Sequence, residues 1–313
     1  MWKYFVLICW IPLTTLAQNT FEQQRASMPV VILANGVKMT YDEGDVNPLK
    51  PSKVVIYALP NGNTTAQTFG KRLAKGDDWH FDIQHIGAQT RFIRNADKRH
   101  NYIVIYLENS LKSWPLWRRQ VKRADSVINQ IVKGAFDKYQ KLKPQLVLSG
   151  HSGGGSFIFG YINAVPAIPN YVTRLAFLDA TYGYKAENHQ SKLNEWLKQK
   201  NGNSLQVIAY NDSVVIYQGK PLVTPTGGTW YNSKLMAKDI GKLKLREDSD
   251  QLVWQNKSSL TSIILLKNPE AKIFHTVMVA KNGFIHSMFN GTALATKNYK
   301  FWSDSAYDQF ILH

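Results

Sequence analysis

Apolar residues fall in two regimes along the chain. Some runs are continuous: Val54–Pro60 (VVIYALP), Asn101–Leu107 (NYIVIYL), Gln145–Ser149 (QLVLS), Arg174–Asp179 (RLAFLD) and Leu205–Tyr210 (LQVIAY). A strand with one wet face alternates apolar and polar, whereas a strand covered on both faces reads as an unbroken apolar run. Between these runs the apolar positions take helical spacing. Leu116, Val121, Ile128, Ile131, Val132 and Phe136 mark a helix over 114–141, and 186–200 marks another. A buried helix is expected after Ser152, and Trp302–Leu312 is read as a closing helix. Ala271–Ala280 (AKIFHTVMVA) is expected to be the last strand. Near the start, PVVIL and VKMTY flank Asn35-Gly36, the signature of a hairpin. Hairpin strands followed by alternating strands and helices predict an α/β fold, with a mostly parallel central sheet and helices on both faces. The least regular stretch, 213–269, is read as an excursion near the functional face and not as a second domain.

Composition narrows this picture. With 313 residues and 44% hydrophobic content the chain can bury a large core, and 19% charge without low complexity excludes a disordered chain. Residues 1–17 read as a signal peptide: Lys3, an apolar stretch from Tyr4 to Leu13 and Leu16-Ala17 before Gln18. The folded domain is then 18–313, and a secreted or periplasmic bacterial location is expected. That apolar stretch is too short to span a bilayer, which needs roughly 20 residues. The single cysteine, Cys9, lies inside it, so the mature chain has no disulfide, thiol nucleophile or cysteine metal site. The net charge of +16 favours acidic partners, but the basic residues are dispersed. The densest group, Trp117–Arg123, reads as a solvated helix face, and no nucleic-acid partner is expected.

The stretch PQLVLSGHSGGGSFIFGYI (144–162) carries the chemistry. A phosphate-binding P-loop needs a lysine and then Ser or Thr after the second glycine, and none is present. The dinucleotide spacing G-x-G-x-x-G is also missing. Gly150-His151-Ser152-Gly153-Gly154 instead matches G-x-S-x-G, a sharp strand-to-helix turn that lifts a serine Oγ off the sheet. A structural turn is the plain alternative for Ser152. His151 reads as a packing or supporting residue.

On this motif and its flanking strand and helix, the chain resembles the α/β-hydrolase family, in its secreted esterase, cutinase-like and acyl-peptidase branches. The resemblance covers about Val54 to His286 in element order. It implies a serine nucleophile, Ser152, with an acid and a histidine following in chain order. It points to His286, in KNGFIHSMFNG, whose Gly-x-x-His-Ser sequence is similar to the histidine loop of secreted polyester hydrolases. His189 comes too early, His275 falls in an apolar run and reads as a core histidine, and His313 is terminal. For the acid the resemblance favours Asp212, in YNDSVV, with Asp179 at the end of RLAFLD as the alternative. The oxyanion donors are expected from the Gly153 N–H and from Asn61-Gly62-Asn63. The His-Gly-Gly sequence common in that loop is missing here.

His80, Asp82 and His85 match no established zinc spacing and read as a polar wall. Trp230, Tyr231 and Trp254 could stack on sugar or aryl groups, with core packing as the default. The expected activity is cofactor-free and metal-free hydrolysis of carboxylic esters, on small molecules or on carbohydrate and cell-wall polymers. A serine peptidase or amidase of the same fold is the second reading. A non-catalytic carbohydrate-binding protein on a hydrolase scaffold is the third. The sequence leaves the oligomeric state open.

Overall fold

The computed structural model describes residues 20–199 and 202–313. The expected signal peptide and Cys9 lie outside them. The strands are β1 (Val30–Ile32), β2 (Val37–Asp42), β3 (Ser52–Ala58), β4 (Asn101–Asn109), β5 (Gln145–His151), β6 (Val172–Leu178), β7 (Ser204–Tyr210), β8 (Ile216–Tyr217), β9 (Lys220–Pro221), β10 (Lys244–Glu247), β11 (Gln251–Gln255) and β12 (Thr261–Leu266). The helices are α1 (Phe21–Ala26), α2 (Thr65–Phe69), α3 (Ile86–Ala96), α4 (Trp114–Gln120), α5 (Ala124–Lys138), α6 (Gly155–Ala164), α7 (Ala186–Gln199), α8 (Gly228–Asp239), α9 (Val277–Ala280) and α10 (Gly283–Phe289).

Ten strands form one sheet in the order β1-β2-β4-β3-β5-β6-β7-β12-β11-β10. The six from β4 to β12 run parallel, and the antiparallel pairs β1-β2 and β11-β10 close the two edges. Side chains of a strand alternate between faces, so each parallel strand feeds two cores. On β3, Val54, Ile56 and Ala58 enter one core, shared with α5, α6 and α7. Val55 and Tyr57 enter the other, shared with α3 and α10. This two-sided burial explains the unbroken apolar runs and gives the fold expected of an α/β hydrolase.

Three local expectations change. The helix expected over 114–141 is two helices, because Arg123 adopts a left-handed φ of 57° between α4 and α5. The tail holds only a single 3-10 turn, Asp308–Phe310. Most consequentially, 271–280 is not a strand: it is a loop with exposed Lys272 and Phe274, followed by the short α9. The last parallel strand is β12, buried beside β7, and β10 to β12 make the supposed excursion part of the central sheet's own edge. Among the described residues no helix is long and apolar enough to cross a membrane.

Candidate active site

The carboxyl ends of β5, β6 and β7, with the loop after β12, converge at one edge of the sheet. In β5 the register pairs His151 with Leu178 of β6, so the next residues, Ser152 and Asp179, leave neighbouring strands side by side. Both turn sharply: Ser152 has φ 56° and Asp179 φ 47°. Left-handed backbone at a non-glycine residue costs free energy and clusters where a side chain must be aimed. The turn at Ser152 passes through a 3-10 segment directly into α6. Its glycines are needed for closeness. A Cβ on Gly155 would lie 1.7 Å from the Ala180 carbonyl oxygen, and one on Gly153 would lie 2.0 Å from Asn61 Oδ1. The loop after β3 therefore presses on the elbow.

Asp179 is fully buried and takes a donor on each oxygen: Nδ1 of His275 on Oδ2, and the Thr229 hydroxyl on Oδ1. His275 sits in the loop after β12, just before α9. With Nδ1 donating to the carboxylate, Nε2 is the ring nitrogen left to accept a proton. His151 supports this histidine. Its ring lies 4.4 Å from that of His275 between centroids, and its Nε2 donates to the His275 carbonyl oxygen at 3.3 Å. A carbonyl only accepts, which assigns His151 the Nε2–H tautomer. Burial, followed by the neighbouring His275, pushes the His151 pKa well below that of a free imidazole. The Tyr182 ring stands edge-on to His275 at 6.2 Å.

His286 is elsewhere. It lies within α10, buried, with Nδ1 toward the Tyr299 hydroxyl at 3.2 Å and its ring stacked on Phe301. The end of α10 is tied to Arg174, whose guanidinium donates to the carbonyls of Ser287 and Asn290. Arg174 is near the start of β6 and Asp179 follows its end. Five residue steps along the strand separate them by ~16 Å. Burial, and then the Arg174 charge, push the His286 pKa down to about 4. The expectation for His286 is thus corrected: it packs over the sheet face, away from the edge where Ser152 emerges. The cause is the misplaced last strand, which made the loop holding His275 look like core.

Asp212 is also corrected. It follows β7 as expected and is fully buried, but its carboxylate accepts the backbone N–H of Thr229 at 2.7 Å and of Trp230 at 3.4 Å, at the start of α8. The alternative acid, Asp179, is the one paired with a histidine. In the loop after β3, the Gly62 N–H is committed to the Lys112 carbonyl at 2.8 Å, which leaves Asn61 and Asn63 as its candidate oxyanion donors. Asn63 is buried, and among the described residues its Nδ2 has no partner. His80 and His85 face Asp78 and Asp82 separately, and among the described residues no three potential ligands gather around one point. Trp254 lies on β11 and packs on the core with Trp230, while Tyr231 is exposed. Thr229 was not anticipated: nothing in a lone threonine after Gly227-Gly228 signals a partner 50 residues upstream.

No protein-family model and no curated protein sequence matches the chain. Among solved structures it is similar to a thermostable esterase, at 15% identity and TM-score 0.46, over 69% of this chain and 52% of that one. The chain thus spans about half the length of that esterase. It is similar to an acetyl xylan esterase from Aspergillus awamori, at 12% identity and TM-score 0.45, over 80% and 94% of the two chains. A third is the native esterase Est2 of the Planctomycetes species Thermogutta terrifontis, at 9% identity and TM-score 0.39, over 68% and 76%.

Proposed function

We propose that the protein is a serine hydrolase of carboxylic esters, with Ser152 as nucleophile, His275 as general base and Asp179 as the acid that orients it. The observation that carries this reading is the left-handed serine at a strand-to-helix turn, one strand away from a buried aspartate already bonded to a histidine. In the proposed reaction His275 Nε2 takes the Ser152 proton as Oγ bonds to the acyl carbon. Asp179 stabilises the resulting imidazolium. The Gly153 N–H and a donor from Asn61 or Asn63 hold the oxyanion. The imidazolium then protonates the departing alkoxide, and water, activated by the same histidine, releases the acid from the acyl-enzyme. An alkoxide leaves with less help than an amine, which favours esters over the peptidase or amidase reading. Carbohydrate or cell-wall esters, and export directed by residues 1–17, belong to the same proposal.

A fluorophosphonate probe tests the nucleophile. Wild type is expected to label and Ser152→Ala not to; an unlabelled, folded wild type favours the binding-protein reading. In p-nitrophenyl ester turnover, Ser152→Ala and His275→Ala are expected to lose about 10⁴-fold or more in kcat, and Asp179→Asn about 10²- to 10⁴-fold. His286→Asn is expected to retain turnover. Peptide-anilide substrates run beside the ester series separate esterase from amidase.

A further inference from the structure

Each oxygen of the Asp179 carboxylate has one assigned donor, and only one of them is the histidine. The second, the Thr229 hydroxyl, sits 50 residues further along the chain, in the first turn of α8. Thr229 is itself fully buried and is held from three directions. Its backbone N–H donates to Asp212 Oδ2 at 2.7 Å. Its carbonyl accepts the Thr181 hydroxyl at 3.3 Å, and Thr181 in turn bonds Ser233 one turn along α8. Its hydroxyl has a single hydrogen, with a carboxylate oxygen on either side. The Asp179 contact is the shorter, while Asp212 lies at 3.3 Å and already receives two backbone donors. The hydrogen therefore belongs to Asp179.

The local backbone is built for this contact. Gly228 has φ 75°, and a Cβ there would lie 2.3 Å from Asp212 Oδ2, so only glycine lets the helix start so close to the carboxylate. The positive end of α8 and the Asp212 charge favour each other. Burial raises the Asp212 pKa above the ordinary carboxylate value, opposed by the Thr229 N–H and reinforced by the Asp179 charge.

We propose that Asp212 and Thr229 are positioning residues: Asp212 fixes the start of α8, so that the Thr229 hydroxyl holds Asp179 Oδ1 and turns Oδ2 toward His275. This rests on the assignment of Asp179 and His275 to the reacting triad. Without the hydroxyl, Asp179 rotates more freely and its charge is less dispersed. The imidazolium is then held more tightly but less often in register.

The test is Thr229→Val, which keeps the shape and removes the hydroxyl, beside Thr229→Ser, which restores it. Thr229→Val is expected to lower kcat for p-nitrophenyl esters about tenfold with KM nearly unchanged, and to move the acidic limb of kcat/KM to higher pH. Thr229→Ser is expected to recover most of both. Asp212→Ala is expected to reproduce the kcat loss of Thr229→Val, and Asp212→Asn, which keeps an acceptor for the helix start, to be milder. Both remove a negative charge beside Asp179, so neither is expected to share the rise of the acidic limb. The groups facing Asp179 that bear on this profile are Asp212 after β7, Tyr210 at its end, Tyr182 after β6, His151 at the end of β5 and His275. A second readout needs no turnover. The downfield proton NMR signal of His275 Nδ1–H, assigned by its loss in His275→Ala, is expected to shift or broaden in Thr229→Val and return in Thr229→Ser. Unchanged kinetics and an unchanged signal in Thr229→Val overturn the proposal. So does an activity loss with the signal intact, which would place the role of Thr229 elsewhere. A wild type that fails to label or turn over counts against the triad, while the NMR signal still decides whether Thr229 positions the Asp179–His275 pair.

Discussion

At the scale of single residues, the glycines of the elbow are steric necessities, and the chain supplies its own control. Gly155 faces the Ala180 carbonyl so closely that an added methyl group would sit 1.7 Å from its oxygen. That oxygen belongs to backbone just past Asp179, so it cannot yield without moving the acid. Gly155→Ala is therefore expected to cost at least about 3 kcal/mol, the upper range for overpacking, and to depress turnover. Gly134, exposed within α5, has nothing within 4 Å of the same added methyl. Gly134→Ala is expected to stabilise the protein by roughly 0.5–1 kcal/mol, because alanine has less backbone freedom to lose in a helix interior. Urea unfolding of both variants checks the pair; a tolerated Gly155→Ala would mean that α6 is not seated as described. The motif glycines themselves are also tightly placed, a Cβ on Gly154 lying 2.2 Å from the Ala58 carbonyl oxygen and one on Gly150 2.8 Å from the Gly154 carbonyl carbon. These two were readable in the sequence as G-x-S-x-G, because a motif made of steric exclusions shows itself in the residues it forbids, whereas Gly155 lies just outside that pattern.

At the scale of elements, a sheet strand and a surface ribbon within the same irregular stretch should respond differently to truncation. β12 is six residues long and wholly buried, and Ile263 and Leu265 point into the core shared with α8. Ile263→Ala is expected to cost about 2–5 kcal/mol. Ile216, on the two-residue strand β8, is 61% exposed, and Ile216→Ala is expected to stay within about 0.5 kcal/mol. Comparable losses at the two sites would remove β12 from the core. This strand is where sequence reasoning failed. Thr261–Leu266 is short, begins with two hydroxyl residues and follows a Ser-Ser turn, whereas the alternating apolarity of 271–280 imitates a strand. Periodicity over so few residues cannot separate a buried strand from a loop whose side chains pack inward. The mistake then propagated. With the last strand placed ten residues late, His275 read as core and the expectation of a histidine beside the sheet edge moved to His286. The five other parallel strands were readable because each is an apolar run ended by turn residues. Which aspartate meets the histidine was readable only as a choice of two, since both follow buried strands. The choice is made by tertiary contacts: Asp212 caps α8, which leaves Asp179 to the histidine.

At the scale of the whole molecule, burying several neutral histidines makes stability depend on pH. His286 and His189 are each pushed down to about 4, in both cases by burial first and nearby cationic side chains second. His151 moves the same way. His189 is enclosed between Asn163 and the Lys185 N–H, and His286 between Tyr299 and Phe301. A histidine in the unfolded chain takes up its proton near pH 6.5, while these wait until about 4. Below pH 6.5 the unfolded state therefore binds more protons, and stability falls as pH falls. Their contribution is complete above pH 7. It is lost progressively down to pH 4, and by pH 5 each loses about 2 kcal/mol by linkage. Asp97 moves the other way from a buried carboxyl: against the opposing effect of burial, His100 and Tyr102 hold it well below the usual carboxylate range, and so below this window. Asp212, raised by burial, works in the opposite direction but equally in wild type and in a histidine variant. The difference between the two isolates the histidine. His286→Asn keeps an acceptor for the Tyr299 hydroxyl and cannot take up a proton. In urea unfolding at pH 7 and pH 5, the wild type is expected to lose about 2 kcal/mol more between the two conditions than His286→Asn does. Equal losses would show that His286 is protonated as readily in the native protein as in the unfolded chain, and so that α10 does not seal it from water.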